Sequence, residues 1–440
     1  MSTTKTPSTE KLALHGGPKA KRTPYRTGRR FGREELRQLK EALDQNTLFY
    51  AHGKKVRQFC ADLAAKYGRK YAVACSSGTA SLHIALGAVG VAPGDEVVTS
   101  VLTDAGTFIG ILYQAAVPIF ADIDPRTYNV TAETIAARLS PRTRAVIVVH
   151  LAGNPADMDP ILKLCRKRKI AVIEDCAQTW NGFYKGRLAG TLGDLGCFSL
   201  NDYKHLSVGD GGAVLTNSIR LARRAALFAD KCYSRNMWGK RTGRECTFLA
   251  PNYRMSELCG AVAIAQLRKV DWICQRRNRL GKMLTRLIED LPGVLPPVIT
   301  PGAESSNWYY MMRIDPAVLG AARDEFLKAL TAEGLPAGMY LKRVDQYPLF
   351  QKMSIHPPRK DGLVLPYDPP VYPPGRLKYR REDCPNVEAV LSTAIIIQMR
   401  EFYSDRDIRE TAAAIRKVAG HFLGRKTTRS RPCPKGRSRE

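Results

Sequence analysis

An α/β fold is predicted, with a mainly parallel sheet covered by helices and a smaller α+β domain following it. Three observations predict it. Short β-branched or apolar runs alternate with helical patterns between about residues 71 and 216. A long helical pattern, 255–291, then carries the chain out of that unit. Near the end, "HPPRKDGLVLPYDPPVYPPGRLKYRREDCP" (356–385) is too proline-rich for regular structure and reads as a long surface loop of the kind found over active sites. With 440 residues the chain is long enough for a large domain with a smaller partner. The expected limits are a large α/β domain over 13–271, N-terminal segment included, and a small domain over 272–424 that holds the 356–385 loop. The tails 1–12 and 425–440 are expected to be disordered by composition.

The elements follow in order. "KYAVACSSGTASLHIALGAVG" reads as a short strand, a Ser/Gly/Thr turn, then a helix from about Ala80. "DEVVTSVLT", "VPIFADI", "TRAVIVVHL", "IAVIEDCA", "GCFSL" and "GAVLTN" read as further strands, buried in the sheet. "TAETIAARLS" and "MDPILKLCRKRK" supply helices between them. No run approaches the roughly 20 apolar residues that span a bilayer, and the start of the chain has no signal-peptide core.

The formal charge is +28, of which residues 1–30 and 425–440 supply +13. The basic tails read as solubilising extensions, and nucleic acid is not expected as a partner. The remaining +15 favours anionic small substrates. Eleven cysteines, an odd number without a C-x-x-C pair, point to reduced thiols in a cytoplasm and to no metal site.

Three local features carry chemistry. In "SSGTAS" (76–81) hydroxyls and the first amides of a helix can cradle a phosphate, although a plain N-cap turn has the same residues. There is no GxxxxGK[ST], and no clear GxGxxG follows the first strand. Asp175 ends the strand in "IAVIEDCAQ", where α/β ligand sites form, and a carboxylate there needs a cationic or hydrogen-bonded partner. It is either that partner's anchor or the cap of a turn. Lys204, in "FSLNDYKHLSVGDGG", lies 29 residues later, with Ser199 five residues before it. Turn, aspartate and lysine in this order share one requirement, pyridoxal 5′-phosphate (PLP): the lysine forms an imine, the aspartate holds the pyridinium and the turn anchors the phosphate.

On these residues, and on "VPIFADIDPRTYNV", "VHLAGNPADMDPI", "GTLGDLGCFSL", "NYRMSELCGAVAIAQL" and "CPNVE", the chain resembles the DegT/DnrJ/StrS-type sugar aminotransferases, of fold type I. The resemblance runs from about residue 12 to about 418. It implies that Gly78, Thr79 and Ser199 bind the cofactor phosphate, that Asp175 pairs with the ring nitrogen, and that Gln178 reaches the phenolic oxygen. It makes Lys204 the imine-forming lysine and general acid/base, where dehydratase relatives carry histidine. Asn252 of "NYRM" would reach the partner's phosphate across a homodimer. The implied reaction moves an amino group from glutamate or glutamine to a keto-sugar, expected to be nucleotide-linked, or to a keto-cyclitol. A PLP reaction of another type, such as elimination, and a non-catalytic binding protein on the same scaffold stay open as alternatives.

There are departures. In many relatives an aromatic side chain stacks on the cofactor from the segment after "VVTS"; here Asp104 falls at that place, facing the site with Thr103 or simply forming an Asp-Ala-Gly turn. Trp180 lines the pocket or packs the core. His150 and His205 read as hydrogen-bonded sheet-end histidines, and Asp157 and Asp159 as a helix start.

Overall fold

The computed structural model describes residues 10–235, 246–340, 342–353, 366–367, 371–373 and 377–429. Seven strands form the main sheet: β1 (Tyr71–Cys75), β2 (Glu96–Ser100), β3 (Val117–Ala121), β4 (Thr143–Val149), β5 (Ala171–Asp175), β6 (Leu195–Ser199) and β7 (Gly212–Thr216). Each run read as a strand in the sequence forms one of them. Their order is β1-β7-β6-β5-β4-β2-β3. The pairs β2/β3, β2/β4, β4/β5 and β5/β6 are parallel, and β7 alone runs antiparallel to its neighbours β1 and β6. Every residue of β2, β6 and β7 is buried, which is why these strands read as unbroken apolar runs. Because β4, β5 and β6 are parallel and pair Val149 with Asp175 and Asp175 with Cys197, their carboxyl ends form one rim.

The second unit is a four-stranded antiparallel sheet, ordered Val294–Leu295, Tyr309–Ile314, Ala394–Gln398, Ala337–Gly338. Helices Val270–Ile288, Arg323–Ala332 and Asp405–Arg429 cover it, and Leu280, Met312, Phe326, Ile395 and Ile415 fill its core. The long helical pattern of 255–291 is in fact two helices, Glu257–Leu267 and Val270–Ile288. At the break the Lys269 ammonium donates to the Arg30 carbonyl at 3.1 Å and to Glu35 at 2.5 Å.

The chain termini depart from the expected limits. Residues 1–9 lie outside the described residues, but Leu12 is only 1 % exposed and belongs to the small-domain core. The segment after it also packs there, away from the large sheet. Glu333 is fully buried and accepts from the amides of Ala13 at 2.8 Å and Ala20 at 2.7 Å, and its charge meets Lys417 at 3.0 Å. At the other end the last helix runs to Arg429, because no glycine or proline interrupts 425–429; the rest of the 425–440 tail lies outside the described residues. Of the 356–385 loop, 356–365, 368–370 and 374–376 lie outside them too. Its described part follows the edge of the large sheet: the Tyr372 hydroxyl donates to Glu96 at 2.7 Å and that of Tyr379 to the Pro118 carbonyl at 2.8 Å. Among the described residues no helix is long and apolar enough to cross a membrane.

Lys21 fastens the N-terminal segment. Its ammonium meets Asp407 at 2.8 Å and Glu410 at 3.0 Å and donates to the Thr23 carbonyl at 2.6 Å. Burial alone would raise both carboxyls, but Lys21 and the neighbouring Ser404 and Thr23 donors hold each down at about 2. Lowered carboxyl pKa values add stability above the unfolded values of 3.8 and 4.5, and that stability is lost as pH falls towards 2. Lys21→Met, which leaves the buried Asp407 carboxylate without its cation while Glu410 keeps Arg406, is expected to cost about 3 kcal/mol in urea unfolding at pH 7. The deficit should shrink at pH 3; a deficit equal at both pH values would contradict the ion-pair account.

Candidate active site

The turn after β1 leads into the helix Gly78–Val89. The Ser77 hydroxyl oxygen accepts from the Ala80 amide at 3.0 Å, so the plain N-cap is present. That bond leaves the Gly78 and Thr79 amides as the first two donors of the helix, which its own geometry cannot satisfy. Both residues are half-buried. Gly78 packs so closely on the end of β6 that a Cβ there would lie 2.5 Å from Ser199 Cβ and 2.9 Å from its Oγ. The phosphate-type turn and Ser199, 121 positions apart in sequence, are therefore in contact.

Asp175 closes β5 and is 4 % exposed. Its Oδ2 accepts from the Thr107 hydroxyl at 2.9 Å and its Oδ1 from the Ala177 amide at 3.0 Å. The Thr103 hydroxyl in turn pairs with that of Thr107 at 2.6 Å. Burial pushes the Asp175 carboxyl up, against the pull of the Ala177 amide, Thr107 and Lys204. The sequence reading missed Thr107. Its signal was the one-turn spacing from Thr103 across the helix Ala105–Tyr113. Asp104 is the N-cap of that helix, accepting from the Gly106 amide at 2.9 Å. The Asp-Ala-Gly turn reading thus holds, while the exposed carboxylate still acts on Lys204.

Lys204 is half-buried, and its ammonium sits 3.7 Å from the centre of the Trp308 ring, a cation–π contact. Burial lowers its pKa from 10.5 to about 8, against the attraction of Asp175 and Asp104. Arg30 holds the segment from below, donating to the carbonyls of Asp202 and, at 2.6 Å, Lys204. Trp308 is itself fixed, its indole N–H donating to the Tyr203 carbonyl at 2.7 Å. Neither Arg30 nor Trp308 was anticipated, although "NWYYMM" offered three consecutive aromatic or tryptophan side chains opening a strand.

Gln178 is 5 % exposed and lies deeper. Its Oε1 accepts from the Ala152 amide at 2.8 Å and the Tyr309 hydroxyl at 3.3 Å, and its Nε2 donates to the Tyr340 hydroxyl at 3.3 Å. The bend after β4 makes this possible. Gly153 turns at φ +92°, and a Cβ on it would lie 2.5 Å from the Asn307 amide nitrogen. The Ala152 and Gly153 carbonyls accept from the Trp308 and Ser306 amides at 3.1 and 2.9 Å. One short bend thus joins the sheet rim to the aromatic wall of the small domain. Asn252 is exposed and stands apart from this group, one residue before Tyr253, whose carbonyl accepts from the Ser76 amide at 2.8 Å.

The remaining polar residues are structural. His150 Nδ1 accepts from the Ala156 amide at 3.0 Å, so its Nε2–H donates to Glu174 at 3.0 Å. Glu174, with His150 and Cys176, forms a cluster of metal-ligand type. Its carboxylate, however, is spent on His150 and on the amides of Gly190, Leu192 and Gly193 at 2.6–2.8 Å, and these donors hold it below the usual range despite burial. Burial keeps His205 well below its usual pKa, so the neutral ring donates from Nε2 to the Ser306 carbonyl at 3.1 Å. Trp180 is fully buried, 4.7 Å from Phe198, and donates to the Ser199 carbonyl at 3.0 Å. Asp157 accepts from the Tyr184 hydroxyl and Asp159 pairs with Lys185 and Arg187 at the helix start.

The arrangement has counterparts. A model of the DegT/DnrJ/EryC1/StrS aminotransferase family matches residues 30–360. The chain is 30% identical over 393 residues to the spore coat polysaccharide biosynthesis protein SpsC of Bacillus subtilis, covering 88% of this chain and 95% of that one. It is 34% identical over 319 residues to the GDP-perosamine synthase of Caulobacter vibrioides, covering 70% and 79%. Among solved structures, 3-amino-5-hydroxybenzoic acid synthase superposes with a TM-score of 0.78 at 25% identity, over 91% of this chain and 99% of that one. The chain belongs to the DegT/DnrJ/EryC1/StrS family of sugar and cyclitol aminotransferases and is a PLP-dependent transaminase.

Proposed function

We propose that the protein transfers the amino group of glutamate or glutamine to a keto-sugar, nucleotide-linked, with a keto-cyclitol as the second acceptor class. The observation that carries the reading is the convergence of three groups on one rim. These are the Ser77–Thr79 helix start with Ser199, the buried Asp175 carboxylate, and Lys204 with a pKa brought down to about 8. They fit PLP by chemistry. Two unspent helix amides and a hydroxyl suit a dianionic phosphate. A buried carboxylate, oriented by Thr107 and the Ala177 amide, suits a ring N–H⁺. A lysine whose pKa is lowered by burial suits an aldehyde carbon.

When bound, PLP supplies a ring that accepts the electrons of a broken C–H bond. The chain's own residues do the rest. Lys204 takes the proton from the donor's α-carbon and returns one to the cofactor's C4′, then works in reverse on the acceptor. Asp175 keeps the ring nitrogen protonated. Thr103 and Thr107 fix the Asp175 carboxylate, and Gln178, locked by Ala152, Tyr309 and Tyr340, would reach the ring's phenolic oxygen. Trp308 walls off the Lys204 amine from water. The basic balance of the folded core, outside the tails, attracts a phosphate-bearing acceptor.

A cytoplasmic homodimer completes the reading. Asn252 is exposed and, among the described residues, makes no side-chain hydrogen bond in its own chain, which leaves it available to the partner's phosphate site. The ten cysteines among the described residues are free thiols, in keeping with a reducing compartment.

Purified enzyme given PLP, glutamate or glutamine, and a panel of nucleotide-linked keto-sugars and keto-cyclitols is expected to release the 2-oxo acid in step with acceptor amination. Lys204→Ala should cut the rate by about 10²-fold or more. No 2-oxo acid with any acceptor would contradict transamination of this class. Capture of PLP by apoenzyme requires the neutral Lys204 amine, so its rate should rise with pH through an inflection near 8. Stopped-flow absorbance between pH 6 and 10.5 reads it; an inflection near 10.5 would place Lys204 in bulk-like water.

A further inference from the structure

The active site lies at the carboxyl ends of β4, β5 and β6. At their opposite ends lies a second cavity of about 430 Å³, open to solvent and floored by Leu162, Ile170, Val172 and Leu192. Strand β5 serves both places: Ala171 lines this cavity and Asp175 the active site, roughly 13 Å apart at about 3.3 Å per residue.

Four cations from three segments border the cavity: Arg144 on β4, Arg166 on the helix Met158–Arg168 with Lys169 capping it, and Arg220 in the first turn of the helix Ile219–Ala229. All four are exposed, and among the described residues none forms an ion pair. Elsewhere in the same domain the exposed cations Lys185 and Arg187 share Asp159 at 2.7 and 2.5 Å. The single carboxylate of the cavity, Asp194, accepts from the Val172 amide at 2.8 Å and forms no ion pair with the four among the described residues. Among the described residues their charges are thus left unpaired and open to an anion from solution.

We propose that this cavity binds a phosphate-bearing anion of up to nucleotide size, at a site separate from the PLP site. The cations take the phosphates, and the apolar floor is available to a base. The volume lies in the usual range for small-molecule sites. The same phosphate chemistry comes from inorganic pyrophosphate or from a nucleoside diphosphate.

The test is calorimetric titration of the PLP-loaded enzyme, whose cofactor phosphate site is already filled, with pyrophosphate and, separately, with ADP. A saturable site is expected that Arg166→Ala/Arg220→Ala weakens about 10-fold or more, distinct from any nucleotide binding at the acceptor site, which the double variant leaves unchanged. Tighter binding of ADP than of pyrophosphate would assign the floor to the base; equal binding would assign the site to phosphate alone. Both results sustain the proposal. Should the double variant fail to fold, Lys169→Gln and Arg144→Gln read the same loss one charge at a time. No saturable binding of either probe, or binding indifferent to the substitutions, would overturn it.

Discussion

Asp175 ends a buried strand with one oxygen on Thr107 and the other on the Ala177 amide, and a carboxylate so placed demands a positive partner within reach. Lys204 is the cation that acts on it, yet Lys204 is itself driven towards neutrality by burial. The pair is thus short of positive charge, and a protonated ring nitrogen would supply what is missing. The site's other features follow from that shortage. Thr103 and Thr107 hold the carboxylate in place, Arg30 clamps the backbone of the lysine, and Trp308 lies against its amine.

The second dependence is mechanical. Gly153, with its left-handed backbone and its contact with the Asn307 amide, lets the segment after β4 accept the Trp308 and Ser306 amides while offering the Ala152 amide to Gln178. The aromatic wall from the small domain is therefore registered against the large sheet by backbone hydrogen bonds. Asp104 caps the helix Ala105–Tyr113, while Trp308 lies against Lys204 and Tyr309 and Tyr340 bond Gln178.

Much of this was legible in the sequence, for identifiable reasons. Strands buried on both faces announce themselves as apolar runs, and residues fixed by a strand end, such as Asp175 and Ser199, inherit that legibility. Lys204 stood out because a lysine beside a buried strand needs a reason. Thr107, Trp308, Tyr340 and Arg30 were not legible, since their importance comes from contacts with segments tens to hundreds of residues away and their local patterns are ordinary. The same holds for the N-terminal segment. Its composition reads as a polar extension, while Glu333, Lys21 and Leu12 tie it to the small domain through contacts over 300 residues distant.

The family sets the reaction type, and the residues around Lys204 set how this chain carries it out. The central claim is that Lys204, out of all the lysines, is the one that bonds the cofactor. Borohydride reduction of the PLP-loaded enzyme followed by peptide mass spectrometry tests it most directly. The account predicts a pyridoxyl group on the peptide that contains Lys204 and on no other at one equivalent of cofactor. The label on another lysine, or spread over many exposed ones, would contradict it.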